Sequence, residues 1–474
     1  MDKGDKIVEE YVPFKTKINY CLGSLSNNIL NGFVFANLTF FYQVKLGLTA
    51  ELLAIGWLIF AVWNTLNDPI ASYLIDNTRT KIGRRIPYIR YGSFLYGLAF
   101  IVCWFPIAPL NDQIALFINF LVALFLLDTM FTFVGACYFS LPNEIAVSAK
   151  ERASISVYTA FASFGQIVIG VILPIILFTG QKGLPPYFNL IIIMVGVICS
   201  ITLFITSFFI KENMFAQMQP YEGLVEGIKL TFKNRPFWIL MISMFCIYLV
   251  YPTFQTGFLY YLEFVIGGQP VIYFVVFLLI GIILGMILTI KLISLWHPKK
   301  TVFFNLCIVS IGLLSLFFIG RNSLLASISS FLVGIGLAGA LISIPVVLGD
   351  TIDNDELITG KRREAVYGGV NAIVTKPAIS LANWIFLFIL SIFGFIAGKE
   401  TQSDLAITGI LVALSIIPAI ILGFSAIIFF LLYPLDGPEW RKKKDYIVKL
   451  HEEKEKAYLQ TLAKEGKLST KSID

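Results

Sequence analysis

The sequence predicts an all-α membrane protein, with twelve transmembrane helices in two parallel six-helix halves. Three observations predict it. Of 474 residues, 57% are hydrophobic and 14% charged, at a mean hydropathy of +0.81, whereas a soluble domain carries roughly 25% charged residues. The apolar residues fall into twelve stretches, each near the roughly 20 residues that cross a hydrocarbon core. A charged signature ending at Arg152 in the first half returns at Arg363 in the second, about 210 residues on, as in the repeat logic of secondary transporters.

The expected helices of the first half are 18–42, 50–75, 88–107, 112–139, 154–179 and 186–210. Helix 1 follows the polar segment 1–17. The basic run Arg79, Lys81, Arg84 and Arg85 separates helices 2 and 3, Glu144 to Arg152 separates 4 and 5, and Lys211 closes helix 6. The second half holds 236–262, 270–293, 301–319, 323–348, 366–397 and 404–433. Arg235 precedes helix 7, Lys299 and Lys300 separate 8 and 9, Asp350 to Arg363 separates 10 and 11, and a charged tail follows helix 12. Lipid leaves no water for backbone groups, so each stretch is a helix unless a closed barrel forms, and the alternating pattern of a barrel is absent. The expected organisation is therefore 1–17 as a cytoplasmic N-terminus, 18–210 and 236–434 as the two bundles, 211–235 as a central cytoplasmic loop and 435–474 as a cytoplasmic tail.

The net charge of +6 suggests nucleic acid until its distribution is read. Connections after the even-numbered helices carry sixteen Lys or Arg residues; the opposite set carries four, Lys45, Lys182, Arg321 and Lys399. The positive-inside rule then places both termini in the cytoplasm of a multi-pass cell-membrane protein, with no nucleic-acid partner. Segment 1–17 lacks the short apolar core of a signal peptide, so helix 1 is the expected first anchor. The tail, with Tyr446, Leu450 and Tyr458 among lysines and glutamates, reads either as a helix against the membrane or inner loops or as a solvated helix.

Absences exclude most enzyme classes. Six dispersed cysteines show no C-x-x-C spacing, and neither a phosphate-binding G-x-x-x-x-G-K-[ST] nor a G-x-S-x-G elbow occurs. His451 begins H-E-E-K-E, with Glu455 where a second zinc ligand belongs. The expectation is a non-enzyme without a cofactor.

Charge at bilayer depth costs at least ~2.5 kcal/mol, so Asp68, Asp128 and Lys376 are the conspicuous residues. Polar residues share their helix faces: Asn64 and Asn67 with Asp68, Thr132 and Gly135 with Asp128, Ser380 and Asn383 with Lys376. Helix 1 adds Ser24, Asn28 and Asn31; helix 5 adds Thr159, Ser163 and Gln166. Five such stripes predict a polar cavity at mid-membrane. Pro69 and Pro377 each free the carbonyl four residues back, which either ligates a hard cation or marks a plain kink.

Asn67-Asp68-Pro69-Ile70, the run from Asp76 to Tyr88 through Gly83-Arg84-Arg85, Gly349-Asp350-Thr351-Ile352-Asp353-Asn354-Asp355-Glu356, Thr359-Gly360-Lys361-Arg362-Arg363-Glu364-Ala365 and Lys376 together resemble the glycoside-pentoside-hexuronide:cation symporters, of the major facilitator superfamily. The resemblance implies the major facilitator fold and cation-coupled symport of a sugar or glycoside by alternating access. It implies a cation site between helices 2 and 4, at Asn64, Asn67, Asp68 and Thr132. Where melibiose-type members carry the first of two helix 2 aspartates, this chain has Asn64. One carboxylate with neutral oxygens suits Na+, and Asp68 equally suits H+. Lys376 matches the family's helix 11 lysine, which neutralises this region in the empty state.

The family's sugar clamp is absent. Asn28 replaces a helix 1 aspartate, Thr159 a helix 5 arginine, and Gly135 and Phe139 a helix 4 aspartate and tryptophan. The substrate residues are then expected among Asn28, Asn31, Asp128, Thr159, Gln166, Gln255, Lys376 and Asn383; Asp128 matches no family motif residue. An alternative is transport of a lysolipid or other amphiphile on the same fold, weakly coupled. Asp76, Arg84, Arg85, Glu144, Arg152, Asp355 and Arg363 are expected to form a cytoplasmic gate, exposed pairs of under ~1 kcal/mol each that latch the halves when the cavity faces out. The expected partners are a small solute, a coupling cation and the lipid bilayer, around a monomer.

Overall fold

The computed structural model describes residues 10–107, 109–146, 148–180, 183–210, 234–360 and 363–464. The first half holds α1 (Phe14–Phe40), α2 (Ala50–Asn77), α3 (Ile86–Val102), α4 (Gln113–Ile145), α5 (Ala149–Phe178) and α6 (Phe188–Thr206). The second holds α7 (Arg235–Tyr260), α8 (Ile272–Trp296), α9 (Pro298–Ile319), α10 (Ser323–Thr359), α11 (Glu364–Ile392) and α12, which runs through Asp404–Leu411, a π turn at Val412–Ile416 and Ile417–Leu432. A last helix, α13, covers Gly437–Lys464. The corresponding first helices of the two halves, α1 and α7, each run into a π turn, Phe41–Lys45 and Tyr261–Ile266.

Local chemistry sets several boundaries. Side chains of Asp112, Ser148, Asn322 and Ser403 accept from backbone N–H groups in the first turns of α4, α5, α10 and α12, satisfying donors that have no partner within the helix. Gly360, at φ 72°, closes α10 in the left-handed conformation that glycine adopts without strain. Seven helices, α2, α4, α5, α7, α10, α11 and α12, continue through an interior proline.

Among the described residues, ten helices are long and apolar enough to cross a membrane. The other two of the expected twelve are α3, with only 17 residues, and α1, which carries Asn27, Asn28, Asn31 and Asn37. Several ends differ from expectation. α1 starts at Phe14, inside the expected polar N-terminus, because Lys17 is buried against Glu151 of α5 at 2.7 Å. α4 and α10 extend to Ile145 and Thr359, past 139 and 348, since a helix leaving lipid continues through polar sequence when its carbonyls stay paired. The interior of the central loop, 211–233, lies outside the described residues.

Within the first half α1 packs on α5 and α6, α3 on α4 and α6, and α2 on α4; within the second α10 packs on α8 and α9, α11 on α7, and α12 on α7 and α9. The α8–α10 seam is the closest. A Cβ at Gly281 or Gly285 would lie 2.3 or 2.4 Å from the carbonyl oxygens of Phe331 and Ile335, so only glycine permits this approach. Between the halves, the main seams are α2 with α11 and α1 with α7. Large side chains such as Val62, Ile290, Phe318 and Ile420 are 63–74% exposed on the outside of the bundle, the apolar belt that lipid covers.

Candidate functional site

Three helices bring the intramembrane charges together. Asp68 precedes Pro69 in α2, and Lys376 precedes Pro377 in α11; Lys376 Nζ lies 2.5 Å from Asp68 Oδ1, across the seam between the halves. On α4, Thr132 donates to Asp68 Oδ1 at 3.3 Å. The Asn67 amide donates to Thr132 Oγ1 at 2.9 Å and to Asp128 Oδ2 at 3.0 Å. Asn67, Asp128 and Thr132 are buried, whereas the Asp68 and Lys376 side chains keep 32% and 20% exposure. The result is two carboxylates, an amide and a hydroxyl around one ammonium, with the ionic link itself reachable by solvent. Asp128, expected among substrate residues, lies in this cluster, one helical turn before Thr132. Asn64 is buried one turn before Asp68.

A separate cleft of about 770 Å³, counting the part open to solvent, lies between α1 and α5 on one side and α7, α8 and α10 on the other. It brings Gln166 and Gln255 together from opposite halves, with Asn37 and Tyr251, two residues that sequence periodicity did not single out. Asn28, Asn31 and Thr159 are not part of its lining; Thr159 Oγ1 donates back to the Ile155 carbonyl at 3.1 Å. Asn27 and Asn31, on one face of α1, keep side-chain carbonyl oxygens buried without a hydrogen-bond partner among the described residues. Gly135 faces Asn27: a Cβ there would lie 3.3 Å from Asn27 Oδ1. Phe139 is 58% exposed.

Asn383 sits in neither place. It is fully buried in the seam between the halves, its Oδ1 accepting from Thr256 at 2.8 Å and from Thr39 at 3.5 Å, while Trp57 donates to Thr39. It belongs to a band of bonds at the bundle end away from both chain termini. There Tyr260 OH donates to Gln43 Oε1, Gly398 N–H donates to the Gln43 carbonyl at 3.0 Å, Ser391 Oγ to Glu51 at 2.5 Å and Gly180 N–H to Glu263 at 2.9 Å. Burial pushes the Lys45 ammonium below its ordinary pKa, opposed by Glu263 and Glu400. Neutral polar groups at helix ends carry no periodic signal, so sequence alone missed this closure. Gln43→Ala combined with Tyr260→Phe is expected to speed labelling of a cysteine placed at Thr39 by at least about fivefold in a background without the six native cysteines, because these bonds bias the closed population; an unchanged rate would show that they do not hold this end shut.

At the terminus-bearing end, several ion pairs join helices of the same half. Arg363 grips Asp355 with Nε at 3.0 Å and Nη2 at 2.6 Å from both carboxylate oxygens, side chains 3% and 6% exposed. This pair, expected to help latch the halves together, ties α10 to α11 inside the second half. Lys17 and Glu151 tie α1 to α5. Arg84 and Arg85 precede α3 and Arg152 lies in the first turns of α5; the side chains of Asp76 and Glu144 lie outside the described residues. The tail helix α13 docks on α10: Lys444 pairs with Asp350, and His451 and Lys454 approach Glu356 at 2.8 and 3.1 Å.

A Bacillus subtilis (strain 168) protein named uncharacterized symporter YnaJ is 26% identical over 462 residues, covering 94% of this chain and 96% of its own. An Escherichia coli (strain K12) protein named putative glycoside/cation symporter YagG is 27% identical over 233 residues, 48% of this chain and 49% of that one. The solved inward open conformation of the xylose transporter XylE from E. coli superposes with a TM-score of 0.61 at 14% identity, covering 89% of this chain and 96% of that one, which shows the shared major facilitator fold. Residues 19–437 match the family described as MFS/sugar transport protein. The chain belongs to that family, and is a multi-pass membrane transporter rather than an enzyme.

Proposed function

We propose that the chain carries a sugar or glycoside together with Na+ or H+ by alternating access. The observation that supports this most directly is the Asp68–Lys376 link: a carboxylate of one half is neutralised by an ammonium of the other, beside further oxygen ligands on α2 and α4. A cation arriving at Asp68 competes with Lys376, so its binding alters a contact between the halves, which is the physical requirement for coupling. The cation site comprises Asn67, Asp68, Thr132 and Asp128, with Asn64 behind them, and the α4 carboxylate makes up the charge that Asn64 lacks. Gln166 and Gln255 hold the solute, with Asn28, Asn31 and Thr159 bordering the path on α1 and α5. The terminus-bearing end faces the cytoplasm of the cell membrane, as the sixteen-to-four distribution of basic residues supports. With the family described as sugar transport and one relative named a glycoside/cation symporter, the amphiphile alternative is not favoured.

Uptake into proteoliposomes, with Na+ and proton gradients imposed separately, tests this reading; concentrative uptake of a sugar that responds to neither gradient would overturn it. Asp128→Asn is expected to raise the cation concentration for half-maximal uptake by at least about tenfold, since a charged ligand contributes about 1.5–3 kcal/mol, while solute affinity at saturating cation stays within twofold. A change in solute affinity alone would return Asp128 to the substrate side.

A further inference from the structure

We propose that the cleft selects an uncharged monoglycoside with an apolar aglycone: one sugar ring on the amides, an apolar group against α7, α8 and α10. This rests on the reading of the chain as a sugar symporter.

Among the described residues, the lining of the cleft contains no Asp, Glu, Lys, Arg or His. A uronide carboxylate desolvated there would lack a cationic partner, and a buried charge is retained only when paired. Lys376, the intramembrane cation assigned to the cation site, is engaged with Asp68 in the separate cluster. Polar side chains are few: Asn37, Gln166, Tyr251 and Gln255. Two already spend donors inside the protein, Asn37 on the Phe33 carbonyl at 2.7 Å and Gln255 on the Tyr251 hydroxyl at 3.0 Å. The remaining capacity matches the roughly four hydroxyls of one pyranoside ring and falls short of the roughly eight of a disaccharide; unmatched hydroxyls would be buried without partners. The rest of the wall is apolar, with Phe254, Phe258, Ile282, Leu337 and Leu341 from the second half, a surface that rewards an aromatic or alkyl group instead of a second sugar. Gly32 keeps the polar corner in place. A Cβ there would lie 2.8 Å from Gln166 Nε2, so any larger residue displaces that amide.

The test uses the purified full chain in lipid nanodiscs, with affinities from calorimetry for methyl and phenyl glycosides of glucose, galactose and xylose, phenyl glucuronide, lactose and melibiose. For the sugar bound best as its methyl glycoside, the phenyl glycoside is expected to bind at least about tenfold tighter, and phenyl glucuronide at least about tenfold weaker than the best phenyl glycoside. Gln166→Leu is expected to weaken all glycosides at least about tenfold; Leu337→Asn is expected to cut the phenyl-to-methyl ratio at least about threefold. A disaccharide or the glucuronide binding tighter than every phenyl glycoside overturns the proposal while sugar symport stands, as does a phenyl-to-methyl ratio unmoved by Leu337→Asn. Failure of every sugar to bind overturns the symport reading and this proposal with it. The wild-type panel decides the matter even if a variant fails to fold.

Discussion

Asp68→Asn is expected to collapse solute accumulation from as much as about fiftyfold to about unity at a membrane potential of 100 mV, while downhill exchange of solute continues. One elementary charge crossing 100 mV releases about 2.3 kcal/mol, and each 1.4 kcal/mol is a factor of ten, which sets the fiftyfold ceiling. The substitution keeps the side chain's shape and removes the charge that attracts both the coupling ion and Lys376, 2.5 Å away. Lys376 loses its direct ion-pair partner and keeps only the Asp128 carboxylate in the same cluster, so Lys376→Gln in the same chain is expected to recover protein yield without recovering accumulation. Counterflow and gradient-driven uptake, measured on the same proteoliposomes, separate the two activities. Accumulation that survives Asp68→Asn would remove this carboxylate from the coupling step.

The second large effect falls on stability. Asp355→Ala strands the Arg363 guanidinium, whose side chain is 3% exposed and whose Nη1 has no hydrogen-bond partner among the described residues even in the intact pair. Removing one member of a buried pair costs about 3–5 kcal/mol, because the survivor stays desolvated without compensation. Replacing both, Asp355→Leu with Arg363→Met, is expected to regain most of that loss, since the desolvation cost disappears with the charges. Denaturant unfolding of the purified protein, followed by tryptophan fluorescence, reads the difference; a loss below about 1 kcal/mol from Asp355→Ala would mean that the pair behaves like an exposed one.

The fold and one of the two site regions were legible in the sequence, for identifiable reasons. Twelve apolar stretches survive as helices because each must satisfy its own backbone in lipid, and Asp68 and Lys376 stood out because isolated charges at that depth are costly. Their contact followed from the family resemblance and appears in the fold as an inter-half pair. Asp128 was found by the same cost argument, yet its partner was not: which neighbouring helix a polar face meets depends on rotation and tilt, and sequence period reports neither. Gln166 and Gln255 were visible as polar residues in apolar surroundings. Asn37 and Tyr251 were not, because one asparagine among five on α1 and one tyrosine among twenty in the chain carry no distinguishing pattern. The tail posed a different difficulty, as an amphipathic charged helix reads the same whether solvated or docked, and only the acidic face of α10 decides for docking.

That docking has a practical consequence when set beside the start of the chain. Val12 N–H donates to Glu151 at 3.3 Å and Ser148 N–H to Glu10 at 2.6 Å, so the first described residues are fastened to α5, while α13 is fastened to α10. The first described residues and the tail helix are thereby moored to different halves. A spin label on exposed Lys15 and another on exposed Glu439 would form a spectroscopic ruler whose reading changes as the two halves rock, reporting each turnover from outside the substrate path.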